Sequence, residues 1–145
     1  DELLLDGFTF SVVYKYTGST SANYQALAGN KSGDFFIGKN NGNTQIGVQD
    51  GNYNSNVAAG TNAWDGNWHQ ITYTRSGGSG VVYLDGAQVG SGTWSGADGS
   101  DVLIGAESTN FFFTGYMKQV RIYNSAMSAG DVRKSYEIAK KRYNI

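Results

Sequence analysis

Acids, bases and nucleophiles are sparse in this chain of 145 residues, and their spacing excludes most chemistry. There is no Cys, so thiolate nucleophiles, disulfides and thiolate metal sites are ruled out. The one imidazole, His69, follows Trp68 at the start of an apolar strand pattern. A lone His in that setting reads as a packed, hydrogen-bonded group rather than a general base. The three Glu are Glu2, Glu107 and Glu137, and none sits two residues before an Asp with another acid in strand register. Glycoside hydrolysis needs two carboxylates flanking the scissile bond. No catalytic residue is therefore assigned, and the chain reads as a non-enzyme. Oxygen ligands come closest together in Asp98-Gly99-Ser100-Asp101. Calcium is admitted there, on Asp98 and Asp101, although the same residues also suit a turn and no cofactor is required.

Recognition needs different parts: exposed aromatic planes that stack on sugar faces, and amides or carboxylates that bond hydroxyls. Tyr53, Trp64 and Trp94 lie in Gly/Asn/Ser-rich stretches rather than at alternating positions, so they are expected at the surface. Phe111-Phe112-Phe113 cannot all face one core, because adjacent strand residues point to opposite sides, and Phe112 is taken as the contact residue. A subunit interface uses the same kind of ring. The partners thus stay open between cell-surface glycans and protein, either copies of this chain or other structural proteins. Leu3, Leu4 and Leu5 are expected in an interface, packed on the domain or a neighbour, since burying each contributes roughly 1.5–3 kcal/mol.

These groups must be positioned by strands. Phe8, Phe10, Val12, Tyr14 and Tyr16 alternate with smaller or polar residues, the period of a half-buried strand. Residues 25–29, 33–38 and 44–48 are short runs bounded by Asn and Gly, and residues 69–75 alternate again. Asp85-Gly86 between two apolar runs predicts a type I′ hairpin, whose central residues both need positive φ. Residues 102–105 and 116–123 complete the strands. No βαβ alternation occurs, so the fold class is all-β: antiparallel sheets packed as a sandwich. Only the end is helical, over about 129–142. Ser128 and Asp131 form its N-terminal signal, and Val132, Tyr136, Ala139 and Tyr143 its apolar stripe. The whole of 1–145 reads as one domain, a size that holds a core without staples.

Three segments together resemble the laminin G-like branch of the concanavalin A-like lectin/glucanase jelly rolls. Phe8-Thr9-Phe10-Ser11 is similar to the family's opening strand. Trp68-His69-Gln70-Ile71-Thr72-Tyr73, followed by Val82-Tyr83-Leu84-Asp85-Gly86, is similar to its central hairpins. Phe113-Thr114-Gly115-Tyr116 through Arg121-Ile122-Tyr123-Asn124, then Ala126-Met127-Ser128, resembles its closing strand. The resemblance spans about residues 8–143 and implies a jelly roll with Trp68 and Phe113 in its core. The last residues, Ser135 to Ile145, are similar to the closing helix of such domains in tailed-phage virion proteins. That implies a virion surface role (decoration, tail or fibre) or an extracellular place. The alternative is a carbohydrate-binding module of a larger secreted enzyme or adhesin. Two departures stand out. Lys118-Gln119 replaces the family's acidic pair, and only seven residues precede Phe8, where relatives supply first strands beside the closing one. A sheet edge is therefore expected to be open.

Charge is uneven behind a net −1: residues 1–115 carry 4 basic and 10 acidic side chains, residues 116–145 carry 7 basic and 2 acidic. The basic helix has no interleaved aromatic platform, so a solvated face is preferred to nucleic-acid binding. Apolar runs are far short of the ~20 residues that span a bilayer.

Overall fold

The alternation from Phe8 to Tyr16 builds strand β1 (Gly7–Tyr16), the pivot of the larger architecture. The computed structural model describes residues 7–19, 24–31, 33–40, 45–50, 55–57, 62–93 and 101–145. Within them follow β2 (Gln25–Asn30), β3 (Phe35–Lys39), β4 (Ile46–Asp50), β5 (Ser55–Val57) and β6 (Trp68–Ser76). Then come β7 (Ser79–Leu84), β8 (Ala87–Thr93), β9 (Val102–Ile104), β10 (Gly115–Tyr123) and the helix α1 (Ala129–Tyr143). One sheet runs β10-β1-β6-β7-β8 and the other β5-β4-β3-β2-β9. All these pairings are antiparallel, giving the expected jelly-roll sandwich closed by one C-terminal helix. β5 went unread in the sequence because Ser55-Asn56-Val57 has little strand propensity and forms by pairing with β4.

The core lies between the sheets. Phe8, Phe10, Val12, Tyr14 and Tyr16 of β1 meet Leu27, Phe35, Ile37, Ile46 and Val48 of the opposite sheet. Phe8 sets its ring edge-on to Phe35 at 5.8 Å and to Tyr73 at 5.6 Å, the geometry aromatic quadrupoles favour.

β1 is not half-buried, as its alternation suggested. Thr9, Ser11 and Val13 on its other face are buried as well. The helix lies over that face: Gln119 Nε2 donates to the Tyr143 hydroxyl at 2.9 Å, and Tyr136 packs against Gly86. Small polar residues suit the buried layer because they satisfy each other there. Ser11 and Thr72 hydroxyls bond at 3.0 Å, while Thr9 Oγ1 donates to the Ser125 carbonyl and accepts from the Met127 N–H.

Both local signals hold. Asp85 and Gly86 have φ of 50° and 77°, the pair of positive values the Asp-Gly hairpin requires. Ser128 caps α1 by accepting the Asp131 N–H at 3.2 Å, and Asn144 ends the helix in the left-handed region. Ser128→Ala is expected to cost about 1 kcal/mol. That corresponds to a fall of roughly 2–4 °C in the thermal unfolding midpoint, measured by circular dichroism.

The sandwich is closed on one flank, where β8 touches β5. At the other flank β10 and β9 are each paired on one side only among the described residues. Leu3, Leu4 and Leu5, expected in an interface, lie outside the described residues. No described helix is long and apolar enough to cross a membrane.

Candidate functional site

His69 is buried at the start of β6, between two turns. Its Nδ1 is 2.7 Å from Asp85 Oδ2 and its Nε2 is 3.0 Å from Asp65 Oδ1. Asp85 also accepts the Gln70 N–H at 2.8 Å, and Asp65 accepts the Asn67 N–H at 2.8 Å. With both ring nitrogens held by carboxylates, the imidazole has no free position from which to take a substrate proton. It clasps the 62–67 segment to the β7–β8 turn. The Asp-Gly pairs at 65–66 and 85–86 are turns, as read from the sequence. Their second job as ligands of His69 was invisible there, because it depends on the strand pairing that brings the two turns together.

The clasp is charge-assisted and therefore depends on pH. Burial would lower the His69 pKa, but hydrogen bonds and charge from Asp85 and Asp65 outweigh it and hold the value above 6.5. The stabilisation is then full below about 6.5 and fades as pH rises through the elevated folded value. Burial pushes Asp65 up, but the Asn67 N–H and His69 bonds pull its carboxyl below 3.8 overall, so its share is lost only in acid. His69→Gln is expected to cost roughly 1–3 kcal/mol near neutrality. It should also flatten the loss of thermal stability expected of the parent protein between mildly acidic and alkaline pH.

The expected calcium ligands Asp98 and Asp101 are described only in part. Asp98 lies outside the described residues, and Asp101 is taken by the Lys31 ammonium at 2.5 Å, which holds its carboxyl below the usual carboxylate range. A calcium ion there would have to displace that lysine. No three His, Cys, Asp or Glu side chains come together as a ligand set among the described residues.

Trp64 is a correction. Expected at the surface because it sits in a Gly/Asn-rich stretch, it is 4% exposed and belongs to the core. Its ring lies 5.3 Å from Tyr14 and 5.7 Å from Tyr16, and its Nε1 donates to the Gln45 carbonyl. The physical reason is that Ala63-Trp64 turns inward between the sheets, anchored by the Tyr14 hydroxyl on the Ala63 carbonyl at 2.6 Å. Tyr53 and Trp94 lie outside the described residues.

The rings that are exposed gather elsewhere. The segment before β10 runs beside β2: the Ala26 N–H donates to the Phe111 carbonyl, Ala26 bridges Phe112, and the Thr114 N–H donates to Gln25 Oε1. This brings Tyr24 (38% exposed) and Phe111 (37%) together, with Phe112 (62%) next in the chain. Tyr116, also exposed, pairs with Lys15 on the outer face of the other sheet. Phe111 stands 5.2 Å edge-on to Tyr24, and Tyr24 is 5.9 Å edge-on to Phe36. Phe36 is opposite Gly29 and Gln49, on the outward face of its sheet. Phe113 turns the other way, against Tyr14 and Tyr16, so the three consecutive Phe do split between core and surface. Sequence reasoning found Phe112 but missed the Tyr24–Phe111 pair, because it depends on where the chain crosses β2.

Phe111 has φ of 55°, a conformation costly for a residue with a Cβ, and Ser108 has φ of 53°. Ser108 lies within, and Phe111 just after, a turn closed by the Glu107 and Asn110 backbones at 3.0 and 3.3 Å. Backbone strain of this kind, on the order of 1–3 kcal/mol per residue, persists where the surrounding structure fixes it. Here it aims the Phe111 ring at Tyr24. Glu107, the one acid in this loop, is 8% exposed over Gly29, with burial raising its pKa. The arrangement can stack on an apolar ligand face. It offers no pair of accessible carboxylates.

A family model described as the concanavalin A-like lectin/glucanases superfamily matches residues 1–133, and the chain belongs to that family. A search of curated proteins finds no match. Among solved structures, the chain is similar to a protein from Bacteroides ovatus assigned as carbohydrate binding, with TM-score 0.73 and 18% identity. The match covers 90% of this chain and 41% of that one, so this chain spans less than half of that protein. It is also similar to the CBM40 of a Ruminococcus gnavus IT-sialidase bound to α2,3 sialyllactose, with TM-score 0.72, 13% identity, and 92% and 84% of the two chains covered. A third is domain 4 of a GH43 extracellular arabinanase from Geobacillus stearothermophilus in complex with arabinotriose. Its TM-score is 0.66 and its identity 21%, covering 92% of this chain and 68% of that one.

Proposed function

We propose that the chain is a non-catalytic carbohydrate-binding module that acts outside cells and meets its ligand with Tyr24, Phe111 and Phe112. The observation that carries this reading is the exposed Tyr24–Phe111 ring pair, with the more exposed Phe112 beside it in the chain, on the segment that crosses β2. Aromatic planes favour the C–H faces of sugars, and stacking needs neither metal nor acid. Supporting it are a fold shared with carbohydrate-binding domains and a buried, solitary Glu107 beside the patch. Tyr53 and Trp94 join the proposed contacts on their Gly/Asn/Ser-rich settings alone. The test pairs two assays: affinity electrophoresis in gels containing arabinan or sialylated glycoprotein, and reducing-sugar release from the same polymers. Retardation without release is the expected result. Release that Glu107→Gln abolishes would make the chain a hydrolase.

A second reading, placement on a virion surface beside other structural proteins, rests on the resemblance of the closing helix to those of tailed-phage virion domains. Mass spectrometry of purified particles finding the chain in fixed copy number is its expected result. Absence from particles would remove it.

A further inference from the structure

The flank where β9 and β10 lie is built like an unfinished core. Ile104 of β9 pairs with the core residue Ala28, so its side chain points inward, yet it is 46% exposed. Across the gap Val120 and Ile122 of β10 pair with Val12 and Phe10, again facing inward, and both are only partly covered. An edge strand beside uncovered aliphatic side chains presents both unpaired backbone groups and apolar surface.

Part of this edge is guarded. The register slips at Lys118, a bulge whose ammonium bonds the Tyr143 carbonyl at 3.1 Å and sits 4.1 Å from the Trp68 ring centre. Among the described residues, the stretch from Gln119 to Tyr123 has no such device. Its outward row contains Arg121, whose guanidinium meets only the Tyr123 hydroxyl, at 3.4 Å, with no carboxylate partner among the described residues.

We propose that this edge receives an extended strand from another polypeptide, apolar at alternate positions and carrying a carboxylate opposite Arg121. Backbone pairing would supply the affinity, the aliphatic row would close the gap over Ile104, Val120 and Ile122, and the carboxylate would fix the register. A second copy of this chain fits less well. The antiparallel registers that keep its apolar side chains on one face set Arg121 against Gln119, Arg121 or Tyr123, none of which offers a carboxylate, and the Arg121–Arg121 pairing is repulsive.

The probe is a synthetic seven-residue peptide alternating valine and threonine with a central glutamate, compared with its central-lysine counterpart. Exchange of those amides in 119–123 that point away from β1 is expected to be fast in the free chain and slowed by the glutamate peptide. Affinity should be at least tenfold better than for the lysine peptide. Arg121→Glu should reverse that preference while leaving the thermal midpoint nearly unchanged, and Val120→Lys should weaken both peptides. The proposal is overturned if these amides are protected in the free chain or neither peptide slows them at millimolar concentration. It is equally overturned if Arg121→Glu leaves the preference intact, or if sedimentation shows a dimer that protects the same amides.

Discussion

Trp64→Ala is expected to destabilise the domain by about 3–5 kcal/mol, the cost typical of removing a buried Trp. Whole domains are stable by only about 5–15 kcal/mol, so this one substitution removes a large share. The effect is large because Trp64 joins three parts of the fold: its ring packs on Tyr14 and Tyr16 of one sheet, and its Nε1–H donates to Gln45 just before β4 of the other. Truncation leaves a cavity between the sheets and removes one of the hydrogen bonds to the Gln45 carbonyl, and neighbours anchored across both sheets relax only in part. A fall on the order of 10 °C in the thermal midpoint is expected for a domain of this size. Equilibrium urea unfolding would check it. A midpoint within a degree or two of the parent, with sugar binding lost, would return Trp64 to the surface role its sequence setting first suggested.

The second large effect is on binding. Removing the exposed rings together, as Tyr24→Ala, Phe111→Gly and Phe112→Ala, is expected to lower glycan affinity by about 100-fold or more. Central aromatic contacts are worth roughly 2 kcal/mol each when truncated, and tenfold in affinity corresponds to about 1.4 kcal/mol. The sum is capped because such losses are not additive. Glycine is chosen at 111 because its φ of 55° suits a residue without a Cβ, so the ring is removed while the turn is kept. Stability should change little, since these rings lie at the surface. Isothermal titration against a binding glycan and a thermal melt of the same variant separate the two effects. Equal loss of both would mean that the patch holds the fold rather than the ligand.

Trp64 and Phe112 show how far the sequence could be read. Phe112 was placed outward from a local rule, that neighbours in an extended chain face opposite ways, and this rule survives folding because it is set by backbone geometry. Trp64 was placed outward from the polarity of its neighbours, which says nothing about whether a turn folds back between two sheets. Strand alternation, the Asp85-Gly86 hairpin and the Ser128 cap are local and were legible. The His69 clasp and the Tyr24–Phe111 pair join residues far apart in the chain, and only the sheet register brings them together.

Binding without hydrolysis at Tyr24, Phe111 and Phe112 is the central claim, and a glycan array probed with the parent protein and the triple aromatic variant side by side tests it most directly. The account predicts a discrete set of bound glycans for the parent and none of these for the folded variant. Signal unchanged in the variant, or no glycan bound by the parent at high concentration, would contradict it.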